Sequence, residues 1–396
     1  MTPFAPTRLI PLVACALAPA APALAEEVWL KGDLHAHSLH SDGDSPVADI
    51  VAAAELLGLD FFALTDHDSS MGGEPRHWDD PGYTSDTLTL LYGVEWTTGE
   101  GHGNVWAARP FDYRPLWQAN LEGDPRLAAD AAHAQAALFS INHPTNFLCC
   151  PWEGPGDVGD AVEVWNGAHR APTVDFAATR RFWGDALVNG RRPTAVGGSD
   201  MHDLVFPLGI FYTVGDPTTW VLSAGTSAEE ILAGIEAGRV SVSYDPEAPR
   251  VELWADGDGD GRFEAVMGGD VGAGPVTLRV ILGASDEARA QGATAVEIPA
   301  ARRVFEGDAG PAAFASLSRD LEEAACGPGF VVGLFEGDRL QRMARMDCGG
   351  GTWDLDLRVT PGQAWRAEVL GLPRVDPIQH PLFGLYVALS NPIYVE

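Results

Sequence analysis

The chain has 396 residues, 46% of them hydrophobic and 20% charged, which is room for two or three globular domains of roughly 100–200 residues each. Its 56 acidic residues outweigh 25 basic ones for a formal net charge of −31, arguing against a nonspecific nucleic-acid or anionic-lipid surface. A locally positive site is still open to such a chain, because bound cations supply charge without Lys or Arg.

Residues 1–25 read as a leader: Arg8 is the lone charge, LIPLVACALA is apolar, and Ala23-Leu24-Ala25 forms a small-x-small end before Glu26. That predicts a secretory signal peptide cut after Ala25 and an exported protein, periplasmic or secreted. LVAC at 12–15 offers the alternative of a lipoprotein anchored through Cys15, although only six apolar residues precede that cysteine. No later stretch approaches the roughly 18 apolar residues of a spanning helix.

The segment GDLHAHSLHSDG at 32–43 then crowds His35, His37, His40, Asp33 and Asp42 into twelve positions. On a strand, His35 and His37 share a face because side chains alternate with period two. Neutral imidazoles aimed at one point suggest a metal; a polar strand end without an ion is the simpler alternative. VWLKGDLHAH reads as a strand and SPVADIVAAAELLGL as a helix with Ser45 at the N-cap and Pro46 at N1. DFFALTDHD is a buried strand running into polar residues, followed by LTLLYGVEW and GHGNVWAA. A helix near LAADAAHAQAAL, the strand FSINHP and the run AVEVWNG come next. The helix TVDFAATRRFWGDALVNG, the strand PTAVGGSDMHD, LGIFYTV and the helix SAEEILAGIEAG complete this region.

Strand–helix alternation predicts a parallel sheet or barrel. His35, His37, Asp66, His67, Glu95, His143, Asp200 and His202 all fall at the C-terminal ends of apolar strands, the edge where β/α barrels build their sites. Ten of the eleven His precede residue 203, which places the site in this first domain. His77, His133 and His169 lack a strand-end setting and read as ordinary surface or helix residues, while His40 fits either reading.

After GRVSVS the character changes. SYDPEAPR at 243–250 reads as a linker between a first domain, 26–243, and a second, 250–396. RVELWA, VTLRVILGA, TAVEIPA, FVVGLFE, WDLDLRV and WRAEVLG suggest an antiparallel β-sandwich. Within it, DGDGDG places Asp256, Asp258 and Asp260 at positions 1, 3 and 5 of an EF-hand-type calcium loop, with Gly261 at 6. Met267 stands where position 12 needs an acid, and strands flank the loop, so an acidic hairpin without an ion is the alternative. Of the cysteines, Cys326 and Cys348 form the natural bridge in an oxidising compartment; the adjacent Cys149 and Cys150 either pair or stay thiols.

DLHAHSLHSDG, ALTDHD, GVEW, NHP and GGSDMH, in that order, resemble the motifs of the polymerase and histidinol phosphatase (PHP) superfamily. GHGN, VEVWNG and GGSDMHD resemble its CehA/McbA-type metallohydrolase branch, and the resemblance spans about residues 28–243. It implies a distorted (β/α)7 barrel, here followed by the β-sandwich-like domain, with up to three metals at the C-terminal edge. It implies further that His35, His37, Glu95 and Asp200 hold the first metal. Glu95, His102 and His143 would hold the second, with Glu95 bridging, and Asp42, His67 and His202 the third. Asp33 and Asp66 would orient the ligating His, as carboxylates around metals commonly do.

A His/carboxylate set without thiolates suits Zn, Mn or Fe(II); the resemblance implies two to three such ions, and neighbouring ions favour hydrolysis, most naturally at phosphorus. Glu95 and Asp200 are the residues expected nearest the reaction. Arg170, Arg180, Arg181, Arg191 and Arg192 are candidates for a phosphate clamp, Arg170 first because it closely follows VEVWNGAH. Trp96, Trp106, Trp152 and Trp165 either wall the site or pack the core. No Ser-His-Asp elbow or P-loop competes, and GEGHGN, with no helix pattern after it, is not a dinucleotide fingerprint. The expectation is an exported metal-dependent hydrolase, a phosphoesterase of a small phosphorylated molecule. The same metals cleaving a carboxylic or carbamic ester or an amide is one alternative; a secreted, non-catalytic metal-containing binding protein is another.

Overall fold

A computed structural model describes residues 27–147, 149–167, 176–204, 213–283, 290–307, 316–317, 329–371 and 386–396. The first region is a curled sheet. Strand β1 (Val28–Asp33) runs parallel to β2 (Phe61–Leu64), and β2 parallel to β3 (Thr89–Thr98). β3 then reverses directly into β4 (Gly101–Ala107), with β5 (Leu138–Ile141) antiparallel beside it. β6 (Ala161–Asn166) and β7 (Thr194–Gly198) restore the parallel sense. On the other flank of β1 lie β8 (Thr218–Ser223) and β9 (Val240–Ser243), both antiparallel.

The sheet is therefore mixed, where simple strand–helix alternation predicts a parallel one. The reversal needs Gly101, whose φ is 133° and where an added Cβ would lie 2.7 Å from the Trp152 ring. The two ends of the curl meet beyond β1 and β7. There Ala36 bridges Met201, Asp200 N–H donates to His35 O at 2.8 Å, and Thr219 Oγ1 bonds both backbone groups of Gly197. The result is a distorted barrel.

Helices cover the barrel where the sequence supplies an apolar stripe. Helix α1 (Val47–Leu56) buries Val47, Ile50, Val51 and Ala54, the i, i+3, i+4, i+7 set. Its N-cap is Pro46, with no side-chain cap, and Ser45 Oγ turns to Asp44 at 2.6 Å, so the helix starts one residue later than Ser45 capping implies. A single turn, α2 (Asp68–Met71), follows β2. α3 (Arg114–Glu122), absent from the sequence reading, packs beside α4 (Pro125–His133), whose N-cap Asp124 accepts from Arg126 N and Leu127 N. α5 (Phe176–Val188) covers β6, and α6 (Ala228–Glu236) opens with a Ser227/Glu230 capping box.

The C-terminal region is two facing sheets. One comprises β10 (Val251–Asp256), β11 (Ala265–Val266), β13 (Gly274–Leu282) and β17 (Gly351–Val359), where β12 (Asp270–Val271) stands apart. The other runs β14 (Thr294–Ala295), β16 (Arg339–Met346), β15 (Phe330–Glu336), β18 (Ala364–Leu370), β19 (Tyr386–Ser390), with β20 (Ile393–Val395) beside β18 and β12. Leu253, Leu278 and Val280 of one sheet share a core with Val332, Leu334 and Val369 of the other, the packing of an antiparallel sandwich.

TAVEIPA is strand only at Thr294–Ala295; α7 (Pro299–Phe305) begins at its proline, a residue suited to the first helical turn. The second sheet does not stop at β19. β19 pairs antiparallel with β9, so one sheet passes from barrel to sandwich. The junction is also polar. Buried Arg180 of α5 donates to Glu368 and to Tyr386 Oη at 2.7 Å, and Asn391 bonds both backbone groups of Ala195 on β7.

Candidate metal centre

At the edge where β1, β2, β5 and β7 end, the expected side chains converge on Glu95, which projects from inside β3 rather than from its end. Glu95 Oε1 lies 3.3 Å from His35 Nε2, 3.2 Å from His102 Nδ1 and 3.4 Å from His143 Nε2. Its Oε2 lies 2.7 Å from His67 Nδ1 and 3.5 Å from His37 Nε2, yet receives no well-directed hydrogen bond. Asp200 Oδ1 faces the other side of the first pair, 3.1 Å from His37 Nε2 and 3.3 Å from His35 Nε2. At the mouth, half-exposed Asp42 stands 3.3 Å from His202 Nε2 and 3.5 Å from His67 Nε2.

These contacts fit cations. His35 Nε2 and His37 Nε2 point at each other across 3.1 Å with two carboxylates around them, a convergence of lone pairs that a shared cation satisfies. Three sets of His and carboxylate side chains at the centre have donor atoms within 4.8 Å of one another: His35, His37 and Glu95; His67, Glu95 and His102; and His37, Asp42, His67 and His202. Glu95, His37 and His67 thus each serve two groups, whereas the resemblance gives that double role to Glu95 alone.

The backbone is bent to achieve this. Among the described residues only Ala136, His143 and Asp200 adopt positive φ without being glycine, and His143 and Asp200 are both in the cluster, at 26° and 54°. Such conformations cost of order 1–3 kcal/mol and persist where the surroundings enforce them.

Three side chains missed in the sequence complete the centre. Buried Glu163 accepts from His35 Nδ1 at 2.9 Å and from His143 N at 3.0 Å. Asn166 donates to Glu163 at 2.9 Å and to Asp200 at 3.3 Å, and Asn142 donates to Glu95 Oε1 at 2.9 Å. Gly198 makes the first contact possible, since a Cβ there would lie 2.3 Å from Glu163 Oε1. The motif VEVWNG holds both Glu163 and Asn166, the only sequence hint of them.

Asp33 and Asp66 do not orient imidazole rings by direct hydrogen bonds. Asp33 accepts backbone N–H groups of His35, Ser199 and Gly215, and Asp66 accepts from Ser38 and Ser41. Both shape the loops that carry His35, His37 and Asp200.

Burial disfavours charge throughout, and neighbours decide the outcome. For Glu95 the imidazoles of His35, His67 and His102 overcome burial and hold it well below the usual carboxylate range. Asp200 is likewise lowered, chiefly by His35 and His37 against its burial. For His67, Glu95 and Asp42 reverse the effect of burial and lift the ring to about 10; for His202, Asp42 and Asp200 lift it to about 9. His37 goes the other way, to about 4, because burial is reinforced by His202 and His67. The centre keeps its carboxylates ionised.

Other candidates lie elsewhere. Arg170 and His169 fall outside the described residues. Arg180 is taken by the inter-region junction, Arg191 pairs with Asp157, and Arg192 with Asp270, so none of these three forms a clamp at the centre. His40 turns to Asp80 at 2.8 Å, and His133, exposed, pairs with Asp160. His77 is not on the surface: it is fully buried and bonds Gly93 O at 2.8 Å. Trp96, Trp106, Trp152 and Trp165 all belong to the hydrophobic core. Cys149 and Cys150 are joined to each other, whereas Cys326, the expected partner of Cys348, lies outside the described residues. No described helix is long and apolar enough to cross a membrane.

No family profile and no curated protein matches the chain. Among solved structures, it is similar to a two-domain protein from Bacteroides vulgatus containing a predicted PHP-like metal-dependent phosphoesterase. That similarity has 17% identity, 93% of this chain and 97% of the other covered, and a TM-score of 0.43. A candidate metal-dependent phosphoesterase from Bifidobacterium adolescentis shows 18% identity over 51% of this chain and 95% of its own, with a TM-score of 0.34. An amidohydrolase from Chromobacterium violaceum, with bound sulfate and no metal, shows 16% identity over 44% and 88%, with a TM-score of 0.29. Likeness this remote carries no activity across.

Proposed function

We propose that the chain is a metal-dependent hydrolase and, within that class, a phosphoesterase acting on a small phosphorylated molecule. The observation that carries this reading is Glu95: a buried carboxylate with imidazole nitrogens of His35, His102 and His143 around one oxygen and His37 and His67 around the other. Two or three divalent Zn, Mn or Fe ions, when bound, would supply Lewis acidity and an acidified water for displacement at phosphorus. Glu95 would bridge, with His35, His37 and Asp200 on one side, His102 and His143 on another, and Asp42, His67 and His202 at the mouth.

The protein's own groups prepare that chemistry. Glu163 fixes the Nδ1 side of His35, so its Nε2 lone pair is presented inward. Asn142 and Asn166 hold the Glu95 and Asp200 carboxylates in place by donating to them. Asp42, half exposed, marks the side from which substrate would enter. The leader-like residues 1–25 and the motif order that resembles the CehA/McbA-type branch support an exported enzyme as part of the same proposal.

The test is metal analysis of the purified mature chain followed by turnover assays on phosphomonoesters, phosphodiesters, aryl esters and amides. Two or three ions per chain and phosphoester cleavage are expected. Cleavage of carboxylic esters or amides alone would move the reaction to carbon, and absence of bound metal after loading with Zn or Mn would remove the proposal.

A further inference from the structure

We propose that the Cys149–Cys150 pair is a redox-controlled ligand for the metal position at His102: joined, it leaves that position open, and reduced, the Cys150 sulfur closes it. The inference rests on the metal-binding reading above and adds a donor type that the rest of the centre lacks. Cys150 Sγ lies 3.6 Å from His102 Nδ1, the nitrogen that faces Glu95 Oε1 at 3.2 Å. The donor atoms of His102, Cys149 and Cys150 lie within 4.8 Å of one another. The segment is tied to the centre by its backbone: Asn142 N–H donates to His102 O at 3.0 Å, and Cys150 N–H to Asn146 O at 3.2 Å.

Coordination number gives this proximity its meaning. Glu95, His102 and His143 make three ligands, the number catalytic zinc sites supply while keeping a fourth position for water or substrate. A thiolate from Cys150 would be the fourth ligand, and four protein ligands make the closed shell of structural sites. A disulfide sulfur has no charge to offer a cation, whereas a thiolate binds zinc at about 2.3 Å. The change is therefore in donor capacity.

Burial sets the order of events. Cys149 is exposed and Cys150 is buried beside His102, so a reductant reaches the Cys149 sulfur first. A trialkylphosphine forms a bond to Cys149 Sγ as the S–S bond breaks, and the electron pair leaves on Cys150 Sγ as thiolate. Water then releases phosphine oxide, a Cys149 thiol and one proton. A dithiol would act through the same exchange, attacking as thiolate and leaving as its own disulfide.

Cobalt(II), loaded into the full mature chain in place of the native ion, reports the ligand directly. The oxidised protein should show visible cobalt bands without a near-ultraviolet thiolate-to-cobalt band. Phosphine should bring that band up with loss of phosphoester turnover, and reoxidation should reverse both. Cys149→Ser, which leaves Cys150 a free thiol, should carry the band before any reduction; Cys150→Ser should never carry it. Reduced wild type holding its cobalt with no sulfur band overturns this proposal and leaves the metal-binding reading standing. A band that persists in Cys150→Ser overturns it as well, since the thiolate then comes from elsewhere. Absence of cobalt uptake in either redox form removes the metal-binding reading and this inference together.

Discussion

The barrel centre and the 256–261 hairpin both present carboxylates to a candidate cation site, and they handle the charge in opposite ways. In the barrel, Glu95 and Asp200 are buried and surrounded by imidazoles. In the hairpin, Asp256 accepts Gly259 N at 2.7 Å and Gly261 N at 2.9 Å, and Asp258 accepts Asp260 N at 3.1 Å. The three aspartates come within reach of one ion, yet Asp258 and Asp260 are exposed to water and the turn is closed by its own N–H groups. A carboxylate whose partners are backbone donors completes a turn. One whose partners are imidazoles, with water excluded, asks for a cation.

The strongest way to break this contrast is Glu95→Gln. A neutral amide is a poor bridge between cations, so the variant should lose at least one metal per chain. Its turnover should fall by more than the roughly 10–100-fold typical of residues outside the ligand shell. Metal analysis beside steady-state kinetics checks both, and unchanged metal content would place the ions elsewhere.

Glu163→Gln comes next. It preserves shape but removes the carboxylate that holds His35 Nδ1, and should weaken metal affinity or activity by roughly 10–100-fold. Titration calorimetry with the metal-free protein reads the affinity; an unaltered isotherm would make Glu163 a packing residue.

The pH response sharpens the contrast without mutation. His67 and His202 sit at about 10 and about 9 in the metal-free fold, against about 6.5 in an unfolded chain. Raised values stabilise fully below the unfolded value, and the benefit is lost as pH rises through the folded ones. Metal-free protein should therefore lose melting temperature as pH rises from about 7 to 10. Metal-loaded protein should lose less, because the ion replaces the proton, and loading near neutrality should release protons. Calorimetry that gives the same slope for both forms would separate these imidazoles from the metals.

The smallest effect belongs to the hairpin. Asp258→Ala should change stability by under about 0.5 kcal/mol and leave barrel metal content and hydrolysis as in wild type. A melting shift with calcium that wild type shows and the variant lacks would add an ion to the loop. Loss of turnover would tie the hairpin to the active centre and end the division drawn above.

Most side chains that gather around Glu95 and Asp200 were legible because their signal is local. Polar residues closing apolar runs mark His67, His143, Asp200 and His202 near one edge. His35 and His37, by contrast, meet beyond β1, which stops at Asp33, so the period-two spacing of a strand is not what brings them together. The sandwich strands RVELWA, FVVGLFE and WDLDLRV read correctly for the same reason, each being a short apolar run between turn residues. β16, with RLQRMARM, escaped because its charged and apolar residues do not alternate, and its partly exposed pattern reflects its place near the sheet edge.

What sequence alone determined here is which donors exist and, for those that close an apolar run, which edge they lie near; Glu95, inside β3, is the exception. What only the tertiary structure decided is every relation across the chain. Glu163 meets His35 from 128 residues away, Cys150 meets His102 from 48, and β19 extends the sheet of β9 across a boundary that composition marks as a linker. Each of these depends on which strands become neighbours when the sheet curls, and burial of the shared core settles that collectively; no local pattern of spacing encodes it.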